Sequence, residues 1–277
     1  MVYVEREDEN MSEPVYNFMS GDQPVLISCP HVGTHVPKAI AERFTSAGAM
    51  LADTDWHVDW LYGESAGALG MPLLTATHSR YVIDLNRRPD GEVLYTGADN
   101  TELCPTTTFD REPIYQGELP DESEVLQRVE TCWRPYHDKL QQVLGDMVAR
   151  HGVAVLIEGH SIRSHVPRFF EGKLPDFNLG TADGESADGD LAARVFDALR
   201  SDDKYTAVHN GRFKGGYITR HYGQPDKRIH TLQLEKTQSC YMDEAPPFAF
   251  RADLASGVQP IIARMLETAL EWTRSKT

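Results

Sequence analysis

The chain has 277 residues and 40% hydrophobic content, enough for one large α/β domain, and no stretch of biased composition marks a linker. Its 42 acidic residues against 27 basic ones give a formal net charge of −15, a field that repels nucleic acid and anionic membrane surfaces and leaves neither as an expected partner. The opening stretch MVYVEREDENMSEP lacks the apolar core of a secretory signal, no apolar run reaches the ~20 residues of a membrane span, and Cys29, Cys104, Cys132 and Cys240 form no CxxC pair. A cytoplasmic protein with reduced thiols is therefore expected.

Residues 1–20 are polar and read as a flexible arm ahead of a single domain spanning 21–277. Val25 to Cys29 is a short apolar run ended by Pro30, the pattern of a buried strand. Pro37 to about Ala47 suits a short helix with proline in its first turn, and Asp53 or Thr54 can cap a helix whose apolar face carries Trp56, Trp60 and Leu61. Pro72 to Ala76 and Tyr81 to Leu85 follow as strands, and 88–120 as a long loop region. Glu122 to about His151 has helical periodicity with a break expected at Pro135. Val153 to Ile157 is the clearest buried strand, 164–190 is loop-rich, and Leu191 to Leu199 is helical. Ile229 to Glu235 alternates as a strand, with Thr231, Gln233 and Glu235 on one face. An amphipathic helix runs from Ala252 to about Trp272. Strands alternating with helices imply an α/β sandwich with a mixed or largely parallel sheet.

In open sheets of this kind ligands bind beyond the carboxyl ends of the strands. Three strand ends carry groups able to bind metal or move protons: His31, then Glu158 with His160, then Glu235. Two histidines and a carboxylate with an open water position is a catalytic zinc shell, and either Asp53 or Asp55 can supply the carboxylate unless both only cap the next helix. Glu158 is placed to orient His160, and Glu235 reads either as a general base or as a rim carboxylate paired with Lys236. His35 and His57 are weaker alternatives, and a thiolate mechanism would need Cys29 paired with His31. Arg80, Arg87, Arg88, Arg163, Arg212 and Arg220 lie near strand ends or glycine-rich loops, where a guanidinium can hold a carboxylate by two parallel hydrogen bonds.

Longer stretches carry a resemblance. They are Val25 to Thr34, DTDWH with its following LY (Asp53 to Tyr62), SRYVIDLNR (Ser79 to Arg87), WRPYHDKL (Trp133 to Leu140), HSIRS (His160 to Ser164), LPDFNLGT (Leu174 to Thr181), NGRFKGGYITRHYG (Asn210 to Gly223) and LQLEKTQSCYMDE (Leu232 to Glu244). Together they resemble the N-formylglutamate amidohydrolase family over nearly the whole chain. The resemblance implies a three-layer sandwich similar to the zinc carboxypeptidases and other phosphorylase/hydrolase-like folds. It implies one divalent ion, zinc, held by His31, Asp55 and His160, with Glu235 as general base. Arg80, Arg87, Arg163 and Arg220, with Asn210, would bind substrate. The implied reaction is hydrolysis of N-formyl-L-glutamate to formate and L-glutamate in histidine degradation, by a monomer or small homo-oligomer. Two positions depart from the pattern: residue 34 is Thr where the carboxypeptidase HxxE spacing has Glu, and Glu158 replaces an Asp of close relatives. A metal hydrolase for another N-acyl acidic amino acid, or a non-catalytic dicarboxylate-binding protein, are the competing readings.

Overall fold

The structure is a computed structural model that describes residues 13–91 and 99–276. Its centre is Val25–Cys29 (β2), a fully buried strand whose alternate side chains face opposite layers. Beside it run Leu73–Ala76 (β3) and Ala154–Ile162 (β4), and next to β4 lies Ile229–Thr237 (β7). These four strands are mutually parallel. Tyr16–Met19 (β1) adds antiparallel to β3, Phe177–Gly180 (β5) adds antiparallel to β7, and Ala207–His209 (β6) pairs parallel with β5. The order across the sheet is β1-β3-β2-β4-β7-β5-β6.

Both faces are covered. Val25, Ile27, Val155, Ile157, Leu232 and Leu234 pack against Val58–Leu69 (α3), Gly189–Leu199 (α6) and Ala252–Arg274 (α8). Leu26, Leu74 and Leu156 pack on the other side against Tyr136, Leu140 and Leu144 of Arg134–His151 (α5). The architecture is thus the expected three-layer α/β sandwich with a mixed, largely parallel sheet. Among the described residues no helix is long and apolar enough to cross a membrane.

Several local expectations are corrected. Residues 1–12 lie outside the described residues, but Tyr16–Met19 is no loose arm: its backbone pairs with β3 from Tyr16 opposite Ala76 to Met19 opposite Leu73. Tyr81 to Leu85 is a chain of turns rather than a strand, because Val82 N–H bonds back to Ser79 O and Arg87 N–H to Asp84 O. The helix expected from Pro37 divides into Lys38–Ala41 (α1) and Ser46–Ala49 (α2), since Thr45 caps the second through Gly48 N–H. Neither Asp53 nor Thr54 caps α3, which starts after a left-handed His57 (φ 62°) and leaves Trp60 57% exposed. Glu122–Arg128 (α4) passes into α5 through a π-helical turn at Val129–Trp133, not through a break at Pro135. Tyr217–Tyr222 (α7), β5 and β6 arise from segments without a clear periodic signal.

Candidate metal centre

The parallel register of β4 and β7 sets Glu158 beside Gln233 and His160 beside Glu235 at the carboxyl ends of both strands. From β2 the chain turns through Pro30 to His31, and Asp55 N–H bonds His31 O at 3.0 Å, which fastens the 53–57 segment over the same edge. His31, Asp55 and His160 consequently converge, each buried, with one potential ligand atom apiece all within 4.8 Å of one another. Asp55 Oδ2 lies 3.0 Å from His160 Nδ1 and 3.7 Å from His31 Nδ1.

Each imidazole is oriented from behind by a carboxylate. His31 Nε2–H donates to Asp84 Oδ1 at 2.7 Å, and His160 Nε2–H donates to Glu158 Oε1 at 2.7 Å. Both rings therefore turn Nδ1 towards Asp55, the carboxylate–histidine arrangement found behind metal ligands. The outer carboxylates are held in turn: Arg80 Nη2 donates to Asp84 Oδ2 at 2.8 Å and Thr219 Oγ1 donates to Glu158 Oε2 at 2.6 Å. Burial, aided by the Arg80 charge, lowers the His31 pKa and keeps its ring neutral. Its Nδ1 is buried and has no hydrogen-bond partner among the described residues. An orphaned buried polar atom costs ~1–3 kcal/mol, which a bound cation would remove. Burial also opposes charge on His160, but the Glu158 and Asp55 carboxylates outweigh it and push the ring up to about 10. The cluster thus attracts positive charge, and its one Asp and two neutral-capable imidazoles suit a divalent ion of the zinc type.

Glu235 lines the same pocket, and no hydrogen bond to its carboxylate is found among the described residues. Burial, opposed by His160 and reinforced by Asp55, pushes it up to about 7, the range of a base working at neutral pH. Its neighbour Lys236 points to the opposite face, donating to His160 O at 2.8 Å and Tyr62 OH at 3.2 Å, so it forms no rim pair with Glu235.

The other expected residues are dispersed. Asp53 accepts from Tyr81 OH at 2.6 Å and Phe109 N–H at 2.8 Å, a structural duty away from the imidazoles. His35 meets His78 edge-on, His57 contacts Phe248 O at 2.8 Å, and Cys29 faces the α3 layer, where burial raises its thiol pKa. Arg80 and Arg87 line the pocket; Arg163, paired with Asp110, and Arg220, bonded to Gly215 O, are not among its lining residues. Asn210 braces its loop, accepting from Thr181 N–H at 2.8 Å. Sequence reasoning overlooked Asp84, Asn86, Gln233 and Thr219. Asp84 had a readable signal, a lone acid inside an apolar stretch, since a buried carboxylate needs partners.

A buried His–carboxylate–His cluster beside a pocket-facing glutamate, at the carboxyl edge of a mixed sheet, defines an α/β protein of the hydrolase type able to hold a divalent ion. Comparison with known proteins narrows the class. The model of the N-formylglutamate amidohydrolase family matches residues 23–242, and the chain belongs to that family of amide hydrolases. It is 46% identical to the N-formylglutamate deformylase of Pseudomonas aeruginosa, over 95% of this chain and 99% of that one. It is 45% identical to the N-formylglutamate deformylase of Pseudomonas putida, over 94% and 97%. The crystal structure of N-formylglutamate amidohydrolase from Ralstonia eutropha JMP134 shares the fold with a TM-score of 0.81 and 27% identity, covering 95% of this chain and 99% of that one.

Proposed function

We propose that this chain hydrolyses N-formyl-L-glutamate to formate and L-glutamate, with one divalent ion, zinc, held by His31 Nδ1, Asp55 and His160 Nδ1. The buried Nδ1 of His31, without a hydrogen-bond partner among the described residues and facing Asp55 beside a raised Glu235, is the observation that carries this reading. When bound, the ion lowers the pKa of water and polarises a carbonyl oxygen. Glu235 takes the proton of the water that attacks the formyl carbon. As the C–N bond breaks, the same carboxyl returns that proton to the departing glutamate nitrogen. Arg80 is already committed to Asp84 and lies 3.9 Å from Asp55, so it supports charge developing on the formyl oxygen instead of gripping a substrate carboxylate. Arg87 spends its hydrogen bonds on Thr101 and Asn86 oxygens and has no carboxylate partner among the described residues, so it takes the α-carboxylate of the substrate. Service in histidine degradation, a cytoplasmic location and a monomeric or small homo-oligomeric state belong to the same reading and rest on the family resemblance and the composition.

Metal content and turnover, measured together, test the reaction. Wild type and Glu235→Gln should each carry about one divalent ion per chain, whereas His31→Ala should lose it. Turnover of N-formylglutamate should fall by about 10²–10⁴-fold in Glu235→Gln, a general-base loss. Full activity after chelation would remove the ion from the mechanism, and a Glu235→Gln enzyme that loses its metal would make Glu235 a ligand.

A further inference from the structure

The loop 210–216 closes one side of the pocket and presents Arg212, Phe213 and Lys214 to it. We propose that Arg212 determines specificity by binding the distal, side-chain carboxylate of the substrate, opposite Arg87; this rests on the reaction proposed above. Charge bookkeeping singles the residue out. In a chain of net charge −15, nearby cationic side chains are neutralised: Arg80 by Asp84, Arg163 by Asp110, Arg168 by Asp99, Lys214 by Asp183. Arg212 instead donates from Nε to a neutral acceptor, Phe169 O, and its guanidinium carbon lies 5.5 Å from the Phe213 ring centroid; no ion pair to it is found among the described residues. Its two Nη groups keep the geometry that grips a carboxylate.

Position separates its duty from that of Arg87. Arg87 follows Asn86, whose amide nitrogen lies 3.1 Å from His160 Nε2, so its backbone sits close to the histidines of the cluster. Arg212 is tied to Phe169 within the aromatic cluster of Phe109, Ile162, Phe169 and Phe213. All four line the pocket. A glutamyl group offers the matching sequence of an anion, two methylenes and a second anion. The α-carboxylate, on the carbon bearing the scissile nitrogen, falls to Arg87; the methylenes lie on the apolar wall; the distal carboxylate falls to Arg212.

The loop is also held firmly enough to discriminate. Asn210 adopts φ 51° and donates its Nδ2–H to Thr181 Oγ1 at 2.9 Å, and Gly216 N–H donates to Gln233 Oε1 at 2.8 Å. Gly216 packs so closely on Asn86 that a Cβ there would stand 2.4 Å from Asn86 Nδ2. The Arg212 loop is thereby pinned directly to Asn86, the residue next to Arg87.

Kinetics with N-formylglutamate and its neutral-side-chain isostere N-formylglutamine test the assignment. Arg212→Ala should collapse the ratio of the two kcat/KM values on the order of 10²-fold, and Arg212→Lys should restore part of it. Arg87→Ala should lower both substrates together and leave the ratio nearly constant. Equal losses on both substrates in Arg212→Ala, with metal content retained, would overturn the assignment while leaving the reaction intact. Calorimetry with L-glutamate and L-glutamine needs no turnover: wild type should prefer glutamate and Arg212→Ala should not. A glutamate preference that depends on Arg212 in a protein without deformylase activity would sink the reaction and keep the recognition.

Discussion

Glu235 gains its basicity from placement: the β4–β7 register buries its carboxylate beside His160 and Asp55, and that burial raises it to about 7. Because the protonated form cannot accept a proton, kcat/KM should fall as pH drops through the Glu235 titration and level off above it. Positive charge held by Asp55 lowers the midpoint, so the acid limb should lie at or below about 7 but above the ordinary carboxylate range. Rate profiles from pH 4 to 9 for wild type and Glu235→Gln decide the matter, since the limb should disappear from the variant's residual activity. A limb of unchanged midpoint in Glu235→Gln would assign it to another group. His31 and Glu235 were legible as strand-end residues because β2 and β7 announce themselves by apolar runs and alternation. The residues alone left Asp53 and Asp55 open, because two acids two positions apart differ only in where the 53–57 backbone turns them, and only the family resemblance preferred Asp55. Tyr81 and Phe109 claim Asp53, and the imidazoles claim Asp55.

At the scale of elements, the π-helical turn at Val129–Trp133 connects the helical layer with the pocket. Such turns add a residue to the helix and re-aim side chains. Here Trp133 Nε1–H donates to Arg87 O at 3.0 Å and its ring stacks on His137 at a centroid distance of 3.6 Å. Burial lowers the His137 pKa to about 3, so the ring is neutral, and Nε2–H donates to Leu85 O at 2.9 Å. The two side chains clamp the turns that carry Asp84, Asn86 and Arg87. Trp133→Phe keeps the stacking but deletes the bond to Arg87 O, a net contribution of about 1 kcal/mol. Thermal stability should change little while KM for N-formylglutamate rises several-fold more than kcat falls. A large drop in melting temperature with unchanged KM would confine Trp133 to packing. No sequence periodicity could show this clamp: the apolar residues of Tyr81 to Leu85 imitate a strand, and only the backbone bonds to Ser79, Asp84 and Leu103 turn them into a scaffold. Strands β5 and β6 escaped notice for a related reason, being short segments of mixed polarity whose pairing is set by β7 and by each other.

For the molecule as a whole, the sheet and its two helical layers were readable because β2, β4 and β7 are buried on both faces and their helices are amphipathic. Set against the proposed reaction, composition poses a conflict: a chain of net charge −15 would have to admit a dianion. On the proposed reading the answer is local: among the described residues Arg87 and Arg212 of the pocket have no carboxylate partner, while the chain's excess of negative charge stays unbalanced. The two fields act over different ranges. Repulsion from the whole chain operates through solvent and is screened beyond ~10 Å at 0.1 M salt, whereas close contacts in a cleft are screened much less. Raising sodium chloride from about 10 mM to about 300 mM, across which screening of exposed charge changes strongly, should therefore increase kcat/KM for N-formylglutamate. The gain should be a few-fold and smaller for the singly charged N-formylglutamine. Both substrates measured in parallel at constant pH give the comparison. If kcat/KM for the dianion instead falls with salt, the cationic field at the pocket mouth outruns the net charge, and substrate is steered in rather than admitted against repulsion.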